Sequence, residues 1–255
     1  MDKQLGVSLN ATTLPKTSDF SGRTAVVIDV LRATTVMTTA GANGARSLMT
    51  FAEVEEARAA ANSFEPNALL CGERNCEKIA GFEFGNSPSE YTESRVAGQR
   101  LILTTTNGTR AIQAARTADR LLVASFLNLE SIVRAVHGES QLQLICAGTN
   151  GEVTLEDVLL AGAIADHCNP NSDCDIDDSA RLAIAAWREV TSATNEEVDL
   201  ESALASTLTR SLGGRNLIAL GYDLDVQRCA RVNTIEGYVE RVADDNRFQY
   251  RSSNP

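Results

Sequence analysis

The chain has 255 residues, with 34 acidic and 23 basic side chains and a formal net charge of −11. This length is ample for a buried core and suits one large α/β domain or two small ones. The acidic balance argues against a general nucleic-acid binder. No run approaches the ~20 apolar residues of a membrane span, and residues 1–20 lack the apolar core of a signal peptide. We therefore expect a cytoplasmic protein with no membrane partner and with reduced cysteines.

Apolar runs alternate with amphipathic or alanine-rich runs along the chain. We predict strands at residues 24–30, 68–71, 101–104, 120–126 and 142–147. We predict helices at residues 32–40, 53–61, 109–115, 155–168, 179–190 and 196–208, and a further helix capped by Asn128. Residues 238–250 form either a pair of strands or an irregular tail. The alternation predicts a three-layer α/β/α fold with mainly parallel or mixed sheets.

The tripeptide Thr-Asn-Gly follows two of the predicted strands, at residues 106–108 and 149–151. Shared turn chemistry would explain this match, and so would two similar α/β halves. Such halves are residues 1–127, with anion-binding loops, and residues 128–255, which are helix-rich and acidic. The first half carries as many basic as acidic side chains, so the whole negative excess lies in the second half. We therefore expect an anion site in the first half.

Polar side chains come at the ends of predicted strands, where ligands bind in open parallel sheets. Asp29 lies at the end of the first predicted strand, and Arg32 follows it. A carboxylate there could hold Mg²⁺ or activate water, and an arginine could bind an oxyanion through two N–H groups. A helix-capping aspartate and a surface arginine are the alternative.

A second polar cluster, Thr-Thr-Thr-Asn-Gly-Thr at residues 104–109, lies between a predicted strand and a predicted helix. Hydroxyls, an amide and free N–H groups at a helix start suit an anion such as phosphate. An ordinary polar turn would have the same composition. The candidate anion-binding residues are Thr105, Thr106, Asn107, Gly108 and Thr109.

Three more acidic residues lie at the ends of predicted elements. Glu73 and Arg74 follow a strand and lead into residues 79–88, a segment without clear period that is a candidate functional loop. Glu156 and Asp157 open a predicted helix. Thr154 and Asp157 resemble a capping box, and the alternative is that Glu156 or Asp157 binds a metal ion.

Other motifs are rejected. No Walker A loop is present. Residues 223–227, Asp-Leu-Asp-Val-Gln, are similar to the D-x-D-x-[TV] loop of haloacid-dehalogenase-like phosphatases, but they end in Gln and follow no apolar strand. Cys146 lies in an apolar run, where it is expected to be a small buried hydrophobe.

Seven motifs occur together and in order between residues 20 and 230. They are residues 28–35 (Ile-Asp-Val-Leu-Arg-Ala-Thr-Thr), 72–74 (Gly-Glu-Arg), 81–88 (Gly-Phe-Glu-Phe-Gly-Asn-Ser-Pro), 104–109, 125–128, 146–149 and 155–157. In this respect the chain resembles the 2-phosphosulfolactate phosphatase (ComB) family. The resemblance implies an α/β fold with two related halves, a homodimer, and Mg²⁺-dependent hydrolysis of the phosphate ester of a small sulfonated lactate. The C-terminal pattern departs from the family, because Cys229-Ala230 leads to Asn233 and no Val-Pro follows.

With this resemblance, roles can be assigned to the candidate residues. The expected Mg²⁺ ligands are Asp29, Glu73 and one or both of Glu156 and Asp157. The expected substrate ligands are Arg32, Arg74, Asn86, Ser87 and the residues of the 105–109 turn. A metal-bound water is the expected nucleophile, with Cys146 or Asp29 as covalent alternatives. A phosphatase of the same family acting on another phosphorylated acid, or a non-catalytic binding protein for a phosphorylated or sulfonated metabolite, is the alternative function.

Overall fold

A computed structural model describes residues 3–15, 17–64, 68–169, 174–194, 198–242 and 246–253. The strands in these residues are β1 (Gln4–Ser8), β2 (Thr24–Ile28), β3 (Ser47–Thr50), β4 (Ala68–Arg74), β5 (Glu77–Lys78), β6 (Arg100–Thr104), β7 (Arg120–Ala124), β8 (Gln141–Cys146), β9 (Asp175–Ile176), β10 (Gly237–Arg241) and β11 (Arg247–Ser252). The α-helices are α1 (Ala33–Ala42), α2 (Val54–Ser63), α3 (Glu93–Val96), α4 (Gly108–Ala114), α5 (Leu129–Ala135), α6 (Leu155–Cys168), α7 (Asp178–Ser192), α8 (Leu200–Arg210), α9 (Leu212–Ala219) and α10 (Asp223–Cys229).

The strands form one mixed sheet in the order β5-β4-β6-β3-β11-β10-β7-β2-β8-β1-β9. Two sets of parallel strands, β4-β6-β3 and β7-β2-β8-β1-β9, flank the antiparallel pair β10 and β11. Of the two alternatives for residues 238–250, the strand pair is therefore the observed one. Helices cover both faces, so the three-layer α/β/α fold is confirmed.

The residue pattern of the strands explains the two covered faces. Val26 and Ile28 of β2 pack into one hydrophobic cluster with α5 to α10, whereas Ala25 and Val27 pack into another with α1 and α4. Successive side chains of a strand point to opposite faces, so a strand that is apolar throughout is buried on both sides. All five residues of β2 are buried accordingly.

The proposed boundary at residue 127 does not divide the sheet, because β1 and β2 from the first half pair with β8 from the second. The two Thr-Asn-Gly turns follow β6 and β8, one in each parallel set. They meet in space, since the Asn150 N–H donates a hydrogen bond to Asn107 Oδ1 at 3.3 Å. The two turns thus form neighbouring parts of one surface.

Several elements differ from the sequence prediction. The elements that were not predicted are β1, β3, β5, β9, α3, α9 and α10. The helix predicted from residue 196 begins at Leu200, after the N-cap Asp199; residues 196 and 197 lie outside the described residues. Asn128 does not cap α5 with its side chain; instead its Oδ1 accepts hydrogen bonds from the N–H and the hydroxyl of Ser125. No helix in the described ranges is long and apolar enough to cross a membrane.

Candidate active site

A cavity of about 330 Å³ opens where β2, β4, β6 and β8 end, and α9 forms one of its walls. Ligand sites of open α/β sheets lie at this edge, beyond the carboxyl ends of the parallel strands. Of the residues singled out from the sequence, those that line the cavity are Asp29, Arg32, Glu73, Asn86, Thr106 and Asn107. Residues far apart in the chain therefore meet in one place.

Asp29 follows β2 directly and is held by the start of α1. Its Oδ1 accepts a hydrogen bond from the Ala33 N–H at 3.1 Å, and its own N–H donates to Thr34 Oγ1 at 3.0 Å. Burial raises the pKa of Asp29 to about 7, although the hydrogen bond from the Ala33 N–H acts in the opposite direction and lowers it. The nearby carboxylates of Glu73 and Glu156 raise this pKa further. Asp29 is thus a cavity carboxyl group that titrates near neutral pH.

Glu73 ends β4 and holds two neighbouring loops with its carboxylate. Its Oε1 accepts the Thr106 N–H at 2.7 Å, and its Oε2 accepts the Cys76 N–H at 2.8 Å and the Thr106 hydroxyl at 3.2 Å. Both carboxylate oxygens therefore have protein donors. The N–H of Thr106, which was expected to bind a ligand anion, binds this carboxylate instead.

Within the turn at residues 105–109, Thr105 and Thr109 bond to each other. The N–H of Thr105 donates to the Thr109 hydroxyl, and the N–H of Thr109 donates to the Thr105 hydroxyl, each at 3.2 Å. A Cβ at Gly108 would lie 2.6 Å from Asp29 Oδ2, so glycine leaves room for that carboxylate. The part of the turn that reaches the cavity is Thr106 and Asn107.

Asp157 joins the ends of β2 and β8 from the first turn of α6. Its Oδ1 accepts the Val30 N–H at 2.9 Å, and its Oδ2 accepts the Gly148 N–H at 3.0 Å. The expected capping box does not form, because the side chain of Thr154 makes no capping hydrogen bond. Burial raises the pKa of Asp157 well above its usual value, and two neighbouring carboxylates add to this.

Glu156 is buried beside α9. Its Oε2 has no hydrogen-bond partner among the described residues. A Cβ at Gly213, a residue of the cavity wall, would overlap Glu156 Oε1, so the carboxylate lies directly against this wall. Burial raises the pKa of Glu156, while hydrogen bonds from its own backbone, Ser211 and Gly213 lower it.

The carboxylates allow a test of the expected Mg²⁺ site. Mg²⁺ is usually held by one or two carboxylates, with water and substrate phosphates completing its shell. Asp29 at the cavity and the unpartnered Glu156 Oε2 suit such a site, because a cation would offset the burial that raises their pKa values. Glu73 and Asp157 instead direct both oxygens at protein donors. The described ranges contain no group of three or more His, Cys, Asp or Glu residues arranged to hold a metal ion, so Asp29 and Glu156 are the two carboxylates left as candidate ligands.

Arg32 is the arginine that reaches the cavity, although only 2% of its surface is exposed. Its Nη1 donates to Asp225 Oδ2 at 2.6 Å, and its Nη2 donates to the Cys76 carbonyl at 3.0 Å. The Ser87 hydroxyl donates to the other oxygen of Asp225 at 2.7 Å. Asn86, which precedes Ser87 in the chain, lines the cavity, and its buried Oδ1 has no hydrogen-bond partner among the described residues.

Two other candidate residues lie away from the cavity. The guanidinium of Arg74 donates to the carbonyls of Glu73 and Ala52 and to the Thr104 hydroxyl, so it fastens the ends of β4 and β6. Cys146 ends β8 within the hydrophobic core, where burial raises the pKa of its thiol well above the usual value. A thiol kept protonated in this way is a poor nucleophile.

α9 and α10 contribute residues to the site that were not predicted from the sequence. Asp225 is buried on α10, and residues 213–220 supply much of one cavity wall. One signal was available: Asp225 shares a helix face with Tyr222, Val226 and Cys229. A carboxylate on the apolar face of an amphipathic helix is seldom buried without a charged partner. The informative feature of residues 223–227 is thus the position of Asp225 on the apolar face of α10, and not their similarity to a dehalogenase-like loop.

Comparison with known proteins gives an independent result. Residues 10–241 match the family model described as 2-phosphosulpholactate phosphatase. A protein of Thermotoga petrophila named "Probable 2-phosphosulfolactate phosphatase" is 42% identical over 207 residues, which cover 81% of this chain and 84% of the relative. Proteins of the same name from Symbiobacterium thermophilum and Clostridium acetobutylicum are 40% and 36% identical, each over 225 residues covering 87% of this chain and 92% and 90% of the relative, respectively.

Proposed function

The chain belongs to the 2-phosphosulpholactate phosphatase family, and from this premise we propose that it hydrolyses (2R)-phospho-3-sulfolactate to 3-sulfolactate and inorganic phosphate. The observation that carries the proposal is the cavity in which Asp29, Arg32 and Asn86 meet at the carboxyl end of the sheet. Its volume of about 330 Å³ suits a small ligand.

Charge supports an anionic substrate. Arg32 brings a permanent positive charge to the cavity, and the Asn86 amide can donate to an oxyanion from beside it. The substrate of the reaction carries phosphate, carboxylate and sulfonate groups, each of which accepts hydrogen bonds from such donors. The neighbouring carboxylates oppose this attraction unless a cation or a proton neutralises them.

We propose that Mg²⁺ is that cation, and that Asp29 and Glu156 hold it. When bound, Mg²⁺ neutralises phosphate oxygens and lowers the pKa of a coordinated water. Asp29 would hold the ion as its deprotonated carboxylate, while Glu73 keeps the 105–109 turn in place through the Thr106 N–H. A cytoplasmic homodimer remains part of the proposal; light scattering of the purified protein tests for twice the mass of one chain.

Phosphate release tests the proposal. The panel contains (2R)-phospho-3-sulfolactate, phospholactate without the sulfonate and 3-phosphoglycerate, each measured with Mg²⁺ and with EDTA. We expect the sulfonated ester to have the highest kcat/KM and EDTA to abolish turnover. Highest turnover on another ester would assign the site to a different phosphorylated acid. Tight binding of these compounds with no phosphate release would support the non-catalytic alternative.

A further inference from the structure

One buried carboxylate connects three segments around the cavity. Asp225, on α10, accepts Arg32 Nη1 with one oxygen at 2.6 Å and the Ser87 hydroxyl with the other at 2.7 Å. Its side chain is 4% exposed, and that of Arg32 is 2% exposed. The C-terminal helix, the turn after β2 and the loop at residues 85–88 are thereby held together by one group.

The guanidinium of Arg32 is fixed from three directions. Asp225 holds Nη1, the Cys76 carbonyl accepts from Nη2 at 3.0 Å, and the Tyr222 ring lies 4.3 Å from the guanidinium carbon. Contact with the ring face restricts the plane of the guanidinium. Two bonds to fixed acceptors restrict its rotation within that plane. The other N–H groups of Arg32 have no acceptor in the described part of the chain, and the residue lines the cavity.

We propose that Asp225 is a positioning residue: it holds one edge of the Arg32 guanidinium so that the free edge meets an oxyanion of the ligand in the cavity. The inference rests on the proposed function of this cavity as a phosphate-ester site. Without Asp225, the Arg32 guanidinium would keep only the Cys76 carbonyl and the Tyr222 ring as partners, and ordering it fully during binding would weaken affinity. The buried pair thus prepares the anion site before the ligand arrives.

The same arrangement explains why a carboxylate stands so near an anion site. Asp225 faces Arg32 and Ser87, and both of its oxygens have donors. Its charge is compensated by the arginine, and Asp225 itself is not among the residues that line the cavity. A neutral residue there would leave Arg32 buried without its counter-charge, which is unfavourable.

The test is a double-mutant cycle of Asp225→Asn and Arg32→Met, with Asp223→Asn as the matched control on the exposed side of α10. We expect Asp225→Asn to raise KM about tenfold, as for loss of one charge-assisted contact, and to change kcat by less than about threefold. In the Arg32→Met background, Asp225→Asn should change KM no further, because Asp225 acts through Arg32. Asp223→Asn should match the wild type.

Binding of inorganic phosphate and of methanesulfonate, measured by calorimetry, gives a readout that does not need turnover. We expect Asp225→Asn to weaken at least one of the two, and the probe affected identifies the group that Arg32 recognises. An inactive wild-type enzyme would contradict the proposed function, yet this binding cycle would still test the positioning role. If Asp225→Asn does not fold, Ser87→Ala replaces it. This variant retains the Arg32–Asp225 ion pair, so we expect a smaller loss of affinity for the probes.

Three results would overturn the inference. The first is unchanged KM and unchanged affinity for both probes in Asp225→Asn. The second is an equal loss of affinity caused by Asp225→Asn in the wild-type and the Arg32→Met backgrounds, which would show that Asp225 does not act through the arginine. The third is a large fall in kcat at constant KM, which would make Asp225 a catalytic residue.

Discussion

The carboxylate of Glu73 accepts hydrogen bonds from both the backbone N–H and the hydroxyl of Thr106, at 2.7 and 3.2 Å. These bonds join the end of β4 to the turn after β6 and leave that N–H unavailable to a ligand. Glu73 therefore shapes the wall of the cavity.

Replacing Glu73 separates this structural role from metal binding. Glu73→Ala leaves the Thr106 and Cys76 N–H groups without acceptors, so the free energy of unfolding should fall by ~2 kcal/mol. Glu73→Gln keeps one acceptor oxygen and should lose less. Urea unfolding measures both, with Thr106→Ser, which keeps the N–H and the hydroxyl, as the control. Unchanged stability together with a lost Mg²⁺ affinity would instead make Glu73 a metal ligand.

Gly108 should not tolerate a side chain. A Cβ there would lie 2.5 Å from Ala33 Cβ and 2.6 Å from Asp29 Oδ2, so Gly108→Ala must displace the Asp29 carboxylate together with the start of α1, or the start of α4. We expect kcat/KM to fall by about 10² or more, since a displaced catalytic geometry has effects of this size. Gln113→Ala, on the exposed side of the same helix, is the matched control. Wild-type kinetics in Gly108→Ala would contradict the claim that glycine is needed here to leave room for the Asp29 carboxylate.

The buried carboxyl groups should make the metal-free protein less stable at alkaline pH. Burial raises the pKa of Asp29 from 3.8 to about 7, so the folded protein retains this proton where the unfolded chain has lost it. The contribution of Asp29 to the free energy of unfolding is therefore largest below pH 3.8 and is lost as the pH rises through about 7. In EDTA, the melting temperature should be higher at pH 5.5 than at pH 8.

Asp29→Asn is the control for this pH effect, because the amide does not titrate. The difference in melting temperature between pH 5.5 and pH 8 should shrink by several degrees in this variant, roughly as expected for a change of 1 kcal/mol or more. An unchanged difference would mean that Asp29 titrates in the folded protein as it does in the unfolded chain.

Cys146 should be dispensable for turnover. The thiol is buried in the core and remains protonated, so Cys146→Ala should keep kcat/KM within about threefold of the wild type and reduce stability by ~1 kcal/mol through lost packing. Steady-state kinetics on the sulfonated ester checks this. A fall in kcat/KM of more than about 10³-fold in Cys146→Ala would instead show that the thiol acts as a covalent nucleophile.

The sequence predicts the framework well and the partners of polar groups less well. Short apolar runs such as residues 25–28, alternating with amphipathic runs, predict strands buried on two faces, so the α/β layers and the cavity edge follow from them. Asp157 shows the limit: beside Thr154 it suggests a helix cap, yet its oxygens bind Val30 and Gly148, which come near only in the folded chain. Asp225 was missed for the same reason, because its partner is 193 positions away.

The rate of phosphate release from (2R)-phospho-3-sulfolactate, measured after EDTA treatment and again after Mg²⁺ is restored, tests the central proposal most directly. We predict no detectable phosphate release in EDTA and full recovery of the rate with Mg²⁺. The rate should fall by at least about 10²-fold in Asp29→Asn, while Asp223→Asn should match the wild type. Equal release with and without Mg²⁺, or full activity of Asp29→Asn, would contradict it.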